Sequence, residues 1–148
     1  MSDSIGFLMS DVARLLRRRF DERARAIGVT RAQWRTLTVL ARHEGVNQGQ
    51  LAELLEVEPI TLCRMIDRLA EAGHVERRRD LRDRRAWNLY LTDRSRPLLD
   101  RLRVLGEQVV GEALAGVDPA TQRLVTTSLD RIRANLASPD LQEPAAHG

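Results

Sequence analysis

The chain has 148 residues, 43% of them hydrophobic and 30% charged, which is enough to build the buried core of one domain. All 24 basic residues are arginine, and 21 acidic residues leave a net charge of only +3, so the placement of the arginines matters more than their number. The sequence has no run of about 18 apolar residues and no signal-peptide pattern, which argues against a membrane protein and favours a cytoplasmic one.

Residues that usually carry catalysis or bind metals are scarce. Cys63 is the only cysteine, which excludes an internal disulfide and a cysteine-based zinc site. His43, His74 and His147 have no metal-ligand spacing, and there is no glycine-rich phosphate loop. We therefore expect a protein that is not an enzyme and that needs no cofactor or metal.

The first part of the chain predicts two helices. Residues 5–26 place apolar side chains at helical spacing, and Gly28 can end that helix. Thr30 and Gln33 then form a capping box, in which each side chain accepts a hydrogen bond from the backbone N–H of the other residue. This device predicts a second helix over about residues 31–43.

Two more helices follow closely. Asn47 and Gln50 repeat the capping box and predict a short helix over about residues 48–55. Pro59 suits the first position of the next helix, over about residues 59–72, because its missing N–H would have no partner there. The apolar residues that this helix places on one face are Leu62, Met65, Ile66 and Leu69.

The pattern then changes to the alternation that is typical of β-strands. In "AWNLYLT", every second residue from the tryptophan onwards is large and apolar. The stretch "ERRRDLRDRR", residues 76–85, holds six arginines, two aspartates and a glutamate. It lies mainly in the connection between two antiparallel strands, which predicts a hairpin with an arginine-rich tip.

The last part of the chain predicts two further helices. One begins near residue 93 with apolar residues at coiled-coil spacing, and Pro97 predicts a late start or a bend in its first turn. The other begins at Pro119, with Asp118 as its N-cap. We expect the tail, residues 138–148, to be disordered.

The order of these elements predicts a mainly α (α+β) fold. Residues from about 30 to 92 form a winged helix-turn-helix lobe, and helices over about 5–27 and 93–137 flank it within a single domain of residues 1–148. The apolar stripes of the flanking helices exceed what the small lobe can cover. They therefore predict dimerisation with a second copy of the chain.

A helix-turn-helix reads DNA with the N-terminal residues of its second helix, which lies in the major groove. In this chain that helix begins at Pro59, and Arg64 can donate two parallel hydrogen bonds to guanine. The alternative is that Arg64 and Arg68 form only the solvated side of an amphipathic helix. The residues predicted to face DNA are Pro59, Ile60, Thr61, Cys63, Arg64 and Arg68.

The arginine-rich hairpin tip is the second predicted contact with DNA. An arginine on a projecting turn can enter a narrow, electronegative minor groove. Asp80 and Asp83 can direct guanidinium groups by bidentate pairing, which a diffuse basic patch would not need. The alternative is an exposed, solvated turn. The wing residues predicted to act at DNA are Arg82, Asp83, Arg84 and Arg85.

Two stretches resemble a known family. "DLRDRRAWNLYLT" resembles the wing signature of the MarR (multiple antibiotic resistance regulator) family, in which Asp-x-x-Asp-Arg-Arg precedes a strand that ends in Leu-Thr. The segment from "TRAQW" to "HVERR" resembles the helix-turn-helix of the same family. The resemblance covers about residues 5–137 and is most specific over residues 30–92.

The resemblance implies a homodimeric transcriptional regulator that binds double-stranded DNA at a pseudo-palindromic operator. It places Thr61 and Arg64 in the major groove and Arg84 at the wing tip. Asp83 and Arg85 would support or flank that tip.

The resemblance also implies control by a small molecule. Many members of the family are repressors that a small aromatic, phenolic or anionic compound releases from DNA. Arg17, for a carboxylate, and Trp34, for a ring, are the candidate pocket residues. Trp34 is explained equally well as a core residue of its helix. Arg17, with Arg14, Arg18 and Arg19, is explained equally well as part of a solvated face or as a phosphate contact.

One departure from the family concerns cysteine. Peroxide-sensing members carry a reactive cysteine in the first helix, where this chain has none. Cys63 lies instead in the second helix of the helix-turn-helix, where many relatives have a small or hydroxyl-bearing residue. The favoured explanation is a small space-filling residue, and the alternative is an oxidation that blocks DNA binding.

The leading interpretation is a sequence-specific, ligand-responsive regulator of transcription. The main alternative is a nonspecific architectural DNA-binding protein, for which the arginine-rich stretches alone would suffice. A winged helix used for protein contacts is a third interpretation, and catalysis is the most remote. Competition with random duplex DNA distinguishes the first two, because only specific binding survives it.

Overall fold

Six helices and two strands form over residues 2–138, which are the residues that this computed structural model describes. The elements are α1 (Ile5–Ala26), α2 (Arg31–Arg42), α3 (Gln48–Leu55), α4 (Pro59–Glu71), β1 (Val75–Arg79), β2 (Trp87–Leu91), α5 (Arg96–Ala113) and α6 (Pro119–Ala137). Their order confirms the predicted mainly α fold class with a winged helix-turn-helix. The disorder predicted for the tail falls, from residue 139 onwards, outside the described residues.

Both predicted capping boxes form at the starts of their helices. Before α2, the Thr30 hydroxyl accepts a hydrogen bond from the Gln33 N–H at 3.2 Å, and the Gln33 side chain accepts one from the Thr30 N–H at 2.9 Å. Before α3, the pair Asn47 and Gln50 makes the same two bonds at 2.8 and 3.1 Å. These bonds satisfy N–H groups that have no partner inside the helix, which is why the sequence located both helix starts.

The start of α5 shows the predicted effect of Pro97. A single 3-10 turn, Asp93–Ser95, comes first, and the α-helix begins only at Arg96. Ser95 is fully buried, and its hydroxyl donates to the Thr92 carbonyl at 2.6 Å. The late start agrees with the preference of proline for the first turn of a helix.

The two strands form an antiparallel hairpin that is fastened to the connection between α2 and α3. Residues 80–86 connect the strands, and we call them the wing tip. Leu89 in β2 accepts a backbone hydrogen bond from Gly45 and donates one to Val46, each at 2.9 Å. The base of the wing is therefore fixed to the helical part of the lobe.

A single buried cluster holds the lobe together. Its members come from α2, α3, α4, β1 and β2, and the most exposed of them is 3% accessible. They are Leu37, Leu40, Leu51, Ala52, Leu55, Leu62, Ile66, Leu69, Val75 and Leu89. A second buried cluster joins Ala24, Val29 and Leu102, with Phe20 and Trp34 packed against it.

The chain divides into two compact units, the first ending at Val110 and the second beginning at Gly111. The first contains the whole lobe together with α1, and α6 belongs to the second. Over residues 2–138, none of the helices is sufficiently long and apolar to cross a membrane.

Candidate nucleic-acid interface

The helix α4 has one buried face and one exposed face. Leu62, Ile66 and Leu69 are each at most 2% exposed, so the lobe's core fixes the position and rotation of the helix. On the other side Ile60 is 66% exposed, although it is a large apolar residue. The residues predicted to face DNA are all exposed except the half-buried Cys63, and they are Pro59, Ile60, Thr61, Cys63, Arg64 and Arg68.

The six arginines of residues 76–85 do not form one uniform patch. Arg77 is used inside the lobe, since its side chain is only 26% exposed. Its Nε donates to the Gln48 side chain at 2.7 Å, and its Nη2 donates to the Asp67 carboxylate at 2.6 Å. Arg77 therefore braces β1 against α3 and α4, a role that the sequence analysis missed.

The next two arginines stack on aromatic rings of the opposite strand. The Arg78 guanidinium lies 4.2 Å from the centre of the Tyr90 ring and also pairs with Glu76. The Arg79 guanidinium lies 5.1 Å from the centre of the Trp87 ring, and these two residues are partners in the strand register. Neither stack was predicted from the sequence. An arginine opposite a tryptophan on paired strands indicates a cation–π contact once the strand register is known.

The wing tip is organised by its two aspartates. The Asp80 carboxylate accepts hydrogen bonds from the N–H groups of Arg82 at 2.7 Å and Asp83 at 3.3 Å, and from the Asn88 amide at 3.3 Å. The Asp83 carboxylate accepts one from the Arg85 N–H at 3.0 Å. These bonds form because a tight turn leaves backbone N–H groups that a short acidic side chain can reach.

The prediction that Asp80 and Asp83 direct guanidinium groups by bidentate pairing is therefore wrong. Both carboxylates hold the backbone of the turn instead. The hydrogen bond from the Arg82 N–H, then those from the Asn88 amide and the Asp83 N–H, lower the pKa of Asp80 because they favour its charged form. Hydrogen bonds to the two carboxylates therefore hold the backbone of the turn in a defined conformation.

The wing tip between Asp80 and Ala86 is exposed. Arg82, Arg84 and Arg85 are exposed, as is Asp83. Leu81 lies among them and is fully exposed, although the sequence analysis did not include it. The tip therefore presents three arginines and one apolar side chain on a braced turn.

Comparison with known proteins assigns this arrangement to a family. Residues 27–86 match the MarR family. A solved structure of the transcriptional regulator PA3341 is 34% identical in sequence, with 90% of this chain and 98% of that chain aligned and a TM-score of 0.73. The chain belongs to the MarR family.

Two further solved MarR proteins have the same fold. A MarR transcriptional regulator from Methanosarcina mazei Go1 is 27% identical, covers 88% of this chain and 94% of its own, and has a TM-score of 0.75. Wild-type MarR from E. coli, in its apo form, is 22% identical, covers 89% and 98%, and has a TM-score of 0.80. The MarR fold makes this chain a DNA-binding transcriptional regulator, a class that is generally non-enzymatic.

In this MarR protein the two predicted ligand residues line one cavity of about 560 Å³, which we call the apolar cavity. Arg17 contributes from α1 and Trp34 from α2, and the wall is mostly apolar. The Trp34 ring meets Phe20 edge-to-face with 4.6 Å between ring centres. Trp34 also packs against the second buried cluster, so it serves the core and the cavity wall together.

Proposed function

We propose that this MarR-family chain is a homodimeric repressor that binds a pseudo-palindromic operator and is released by a small aromatic, phenolic or anionic compound. The observation that carries the DNA-reading part is the division of α4 into a buried face and an exposed polar one. A braced, arginine-bearing wing tip follows it in the same lobe. Because its target is the chromosome, we place the protein in the cytoplasm.

In the major groove, α4 supplies the base contacts. Arg64 donates two hydrogen bonds to a guanine, and Thr61 contacts a base edge, a phosphate or a thymine methyl group. Both side chains are exposed at the N-terminal half of the helix, where side chains reach base edges. The other residues of this surface are Pro59, Ile60, Cys63 and Arg68.

In the minor groove, Arg84 is the inserted side chain. Arg82 and Arg85 flank it and contact the phosphates on either side. Asp83 supports the DNA contact indirectly. Its carboxylate accepts a hydrogen bond from the Arg85 N–H and so fixes the backbone conformation of the turn. Asp80 is charged at physiological pH, as an ordinary aspartate is, and its lowered pKa extends that charged range to more acidic pH.

Exposed apolar residues support the homodimer. In α1, Ile5 is 71% exposed, Phe7 56% and Val12 51%. In α6, Leu124 is 67% exposed and Leu136 is 82% exposed. Each helix, taken by itself, thus carries apolar side chains that a single chain leaves in water. A second copy of the chain would bury them and place two α4 helices on one operator.

The apolar cavity supports control by a small ligand. Its walls would take an aromatic ring beside Phe20 and Trp34, and Arg17 would pair with a carboxylate or phenolate. Arg42 and Arg103 also line it, and although Asp100 lies in the same wall and Arg103 pairs with Glu107, arginines outnumber the acidic lining residues and favour an anion. A bound ligand would weaken DNA binding by stabilising a different distance between the two α4 helices of the dimer. That distance would no longer match one turn of DNA, about 34 Å.

The operator is tested by selecting binding sites from a random duplex library with the full chain. We expect a two-fold symmetric site with half-sites one helical turn apart, whose binding survives a large excess of random duplex. The variant Arg123→Ala, which changes an exposed α6 residue about 100° or more around the helix from Leu124 and Leu136, should select the same site. Binding that random duplex abolishes would support the architectural alternative instead.

The ligand is tested by a thermal-shift screen of aromatic acids and phenols, followed by release of the selected operator. We expect a compound that raises the melting temperature of the protein and lowers its operator affinity. Arg17→Ala should lose the response, whereas Arg123→Ala should keep it. A screen in which no compound both binds and releases DNA would contradict ligand control.

A further inference from the structure

A second cavity, of about 530 Å³, is lined by polar side chains from α1 and from the start of α2. Its lining differs from that of the apolar cavity, since it holds four arginines and two carboxylates. We call it the arginine cleft, and its residues are Arg14, Arg18, Asp21, Glu22, Arg25 and Arg31.

The sequence spacing explains why these side chains converge. The members on α1 are three or four residues apart, except for the adjacent pair Asp21 and Glu22, which places them on one side of the helix. Arg31 joins them because it is the first residue of α2, beyond the turn that ends α1. The cleft is therefore built by two helices that pack together within the first unit.

The acids leave an excess of arginine in the cleft, although Arg14 pairs with Asp11 at 2.6 Å. Both oxygens of Asp21 are engaged, one by the Arg31 Nε at 3.0 Å and the other by the Trp34 indole N–H at 2.6 Å. Glu22 lies 3.8 Å from Arg18, a distance too long for a hydrogen bond. Arg25 is exposed and has no acidic partner among the residues that the structure describes.

We propose that the arginine cleft binds a small multivalent oxyanion of the phosphate class, and that Asp21 transmits its occupancy to Trp34. Arginine stays charged at any physiological pH, and its planar fork of donors matches phosphate oxygens in pairs. Arg25, which has no acidic partner among the described residues, and Arg18, whose Nε lies 3.8 Å from Glu22, supply the available donors. The proposal does not depend on ligand control through the apolar cavity.

The link to Trp34 is the shared carboxylate of Asp21. This carboxylate is only 16% exposed and lies between Arg31, which lines the cleft, and Trp34, which lines the apolar cavity. An oxyanion that draws the Arg31 guanidinium away frees one oxygen of Asp21. The remaining hydrogen bond to the indole then becomes stronger or reorients, so the wall of the apolar cavity changes.

The test uses inorganic pyrophosphate as the probe. The protein is the full chain with Trp87→Phe, in which Trp34 is the remaining tryptophan. At constant ionic strength, we expect saturable binding heat and a saturable change in Trp34 emission. The double variant Arg18→Ala/Arg25→Ala should lower the affinity by roughly tenfold or more, with an unchanged melting curve because both side chains are exposed. Arg123→Ala is the matched control, because Arg123 lies outside the cleft, and it should bind pyrophosphate like the parent.

Asp21→Asn separates binding from transmission. It should retain the binding heat, because it removes a negative charge from the cleft, but it should lose the Trp34 response. A full Trp34 response in this variant would overturn the proposed transmission. If the parent shows no saturable heat, or if random duplex DNA changes the Trp34 emission where pyrophosphate does not, the small-oxyanion site is refuted. Neither result would affect the proposed roles of α4 and the wing.

Discussion

The helix α4 and the wing tip both present arginines to solvent, but different forces hold them in place. Three residues of α4 that are at most 2% exposed anchor it in the lobe's core. The wing tip has no such anchor, and hydrogen bonds from backbone N–H groups to Asp80 and Asp83 keep its shape. One contact surface is therefore fixed by apolar burial and the other by polar bracing.

Substitutions in the two regions should therefore have different effects. A change on the buried face of α4 acts on the free energy of unfolding of the whole lobe. We expect a change at the wing tip to leave the lobe folded and to alter only the contact with DNA that we propose. Arg77 lies between these cases, because it joins β1 to α3 and α4 through polar contacts.

The largest expected effect is on the buried side of α4. Ile66→Ala should lower the free energy of unfolding by about 2–5 kcal/mol, because it leaves a cavity at a fully buried site. Urea unfolding at fixed protein concentration measures the change. The matched control on the same helix is Ile60→Ala, which should stay within about 0.5 kcal/mol of the parent because Ile60 is exposed. Equal losses in the two variants would show that burial does not anchor α4.

On the exposed side of α4, Arg64→Ala should weaken operator binding by about 1–3 kcal/mol and relax the preference at one base pair. Its exposed side chain predicts no change in unfolding. Affinities for the selected operator and for single-base variants of it measure both effects. A uniform loss across all sequences would instead make Arg64 a phosphate contact.

At the wing tip, Arg84→Ala should weaken operator binding by about 1.5 kcal/mol, roughly the worth of one charge-assisted hydrogen bond. Dimerisation and unfolding should not change, because the side chain is exposed. Fluorescence anisotropy with the operator and analytical ultracentrifugation measure the two properties. An unchanged operator affinity would contradict the proposal that Arg84 enters the minor groove.

At the base of the wing, Arg77→Ala should lower the free energy of unfolding by roughly 1 kcal/mol, a modest value because its partner Asp67 is 57% exposed. It should also weaken DNA binding, since the hairpin loses a brace to α4. Arg78→Ala is the control at the next position, where the side chain is more exposed and contacts only the hairpin. A loss of DNA binding without a loss of stability would mean that Arg77 orients the wing but does not stabilise the lobe, unlike the buried residues of α4.

The smallest expected effect is a local pH dependence of the wing tip. Because hydrogen bonds lower the pKa of Asp80, its support of the turn is complete above the ordinary aspartate value of 3.8 and is lost as pH falls through the lower folded value. NMR signals of the Arg82 and Asp83 amides should move in that acidic range, while amides in the middle of α2, a helix without acidic residues, should not. Simultaneous movement of both sets would show that the tip and the lobe unfold together.

The helix starts were predictable because their signals are local. A capping box needs only two residues three positions apart, as in Thr30 with Gln33, and its hydrogen bonds formed as expected. The late start of α5 followed from Pro97 alone. The exposure of the α4 residues followed from helical periodicity, because the core takes one face and leaves the other.

The partners of the charged side chains were not predictable in the same way. The aspartates of the wing tip were expected to bind guanidinium groups, but they bind backbone N–H groups that the turn leaves without partners. The contacts of Arg77 with Gln48 and Asp67 join residues 29 and 10 positions apart, which no local pattern specifies.

The sequence by itself determined the elements of this protein, its MarR-type lobe and the residues on the outer face of α4, because local hydrogen bonding and apolar periodicity carry that information. Only the tertiary structure decided which of the six arginines in residues 76–85 remain available to DNA and how Asp21 joins the arginine cleft to Trp34. The physical reason is that a charged side chain pairs with whatever partner the fold brings within about 3 Å, and that partner often lies far away in the chain.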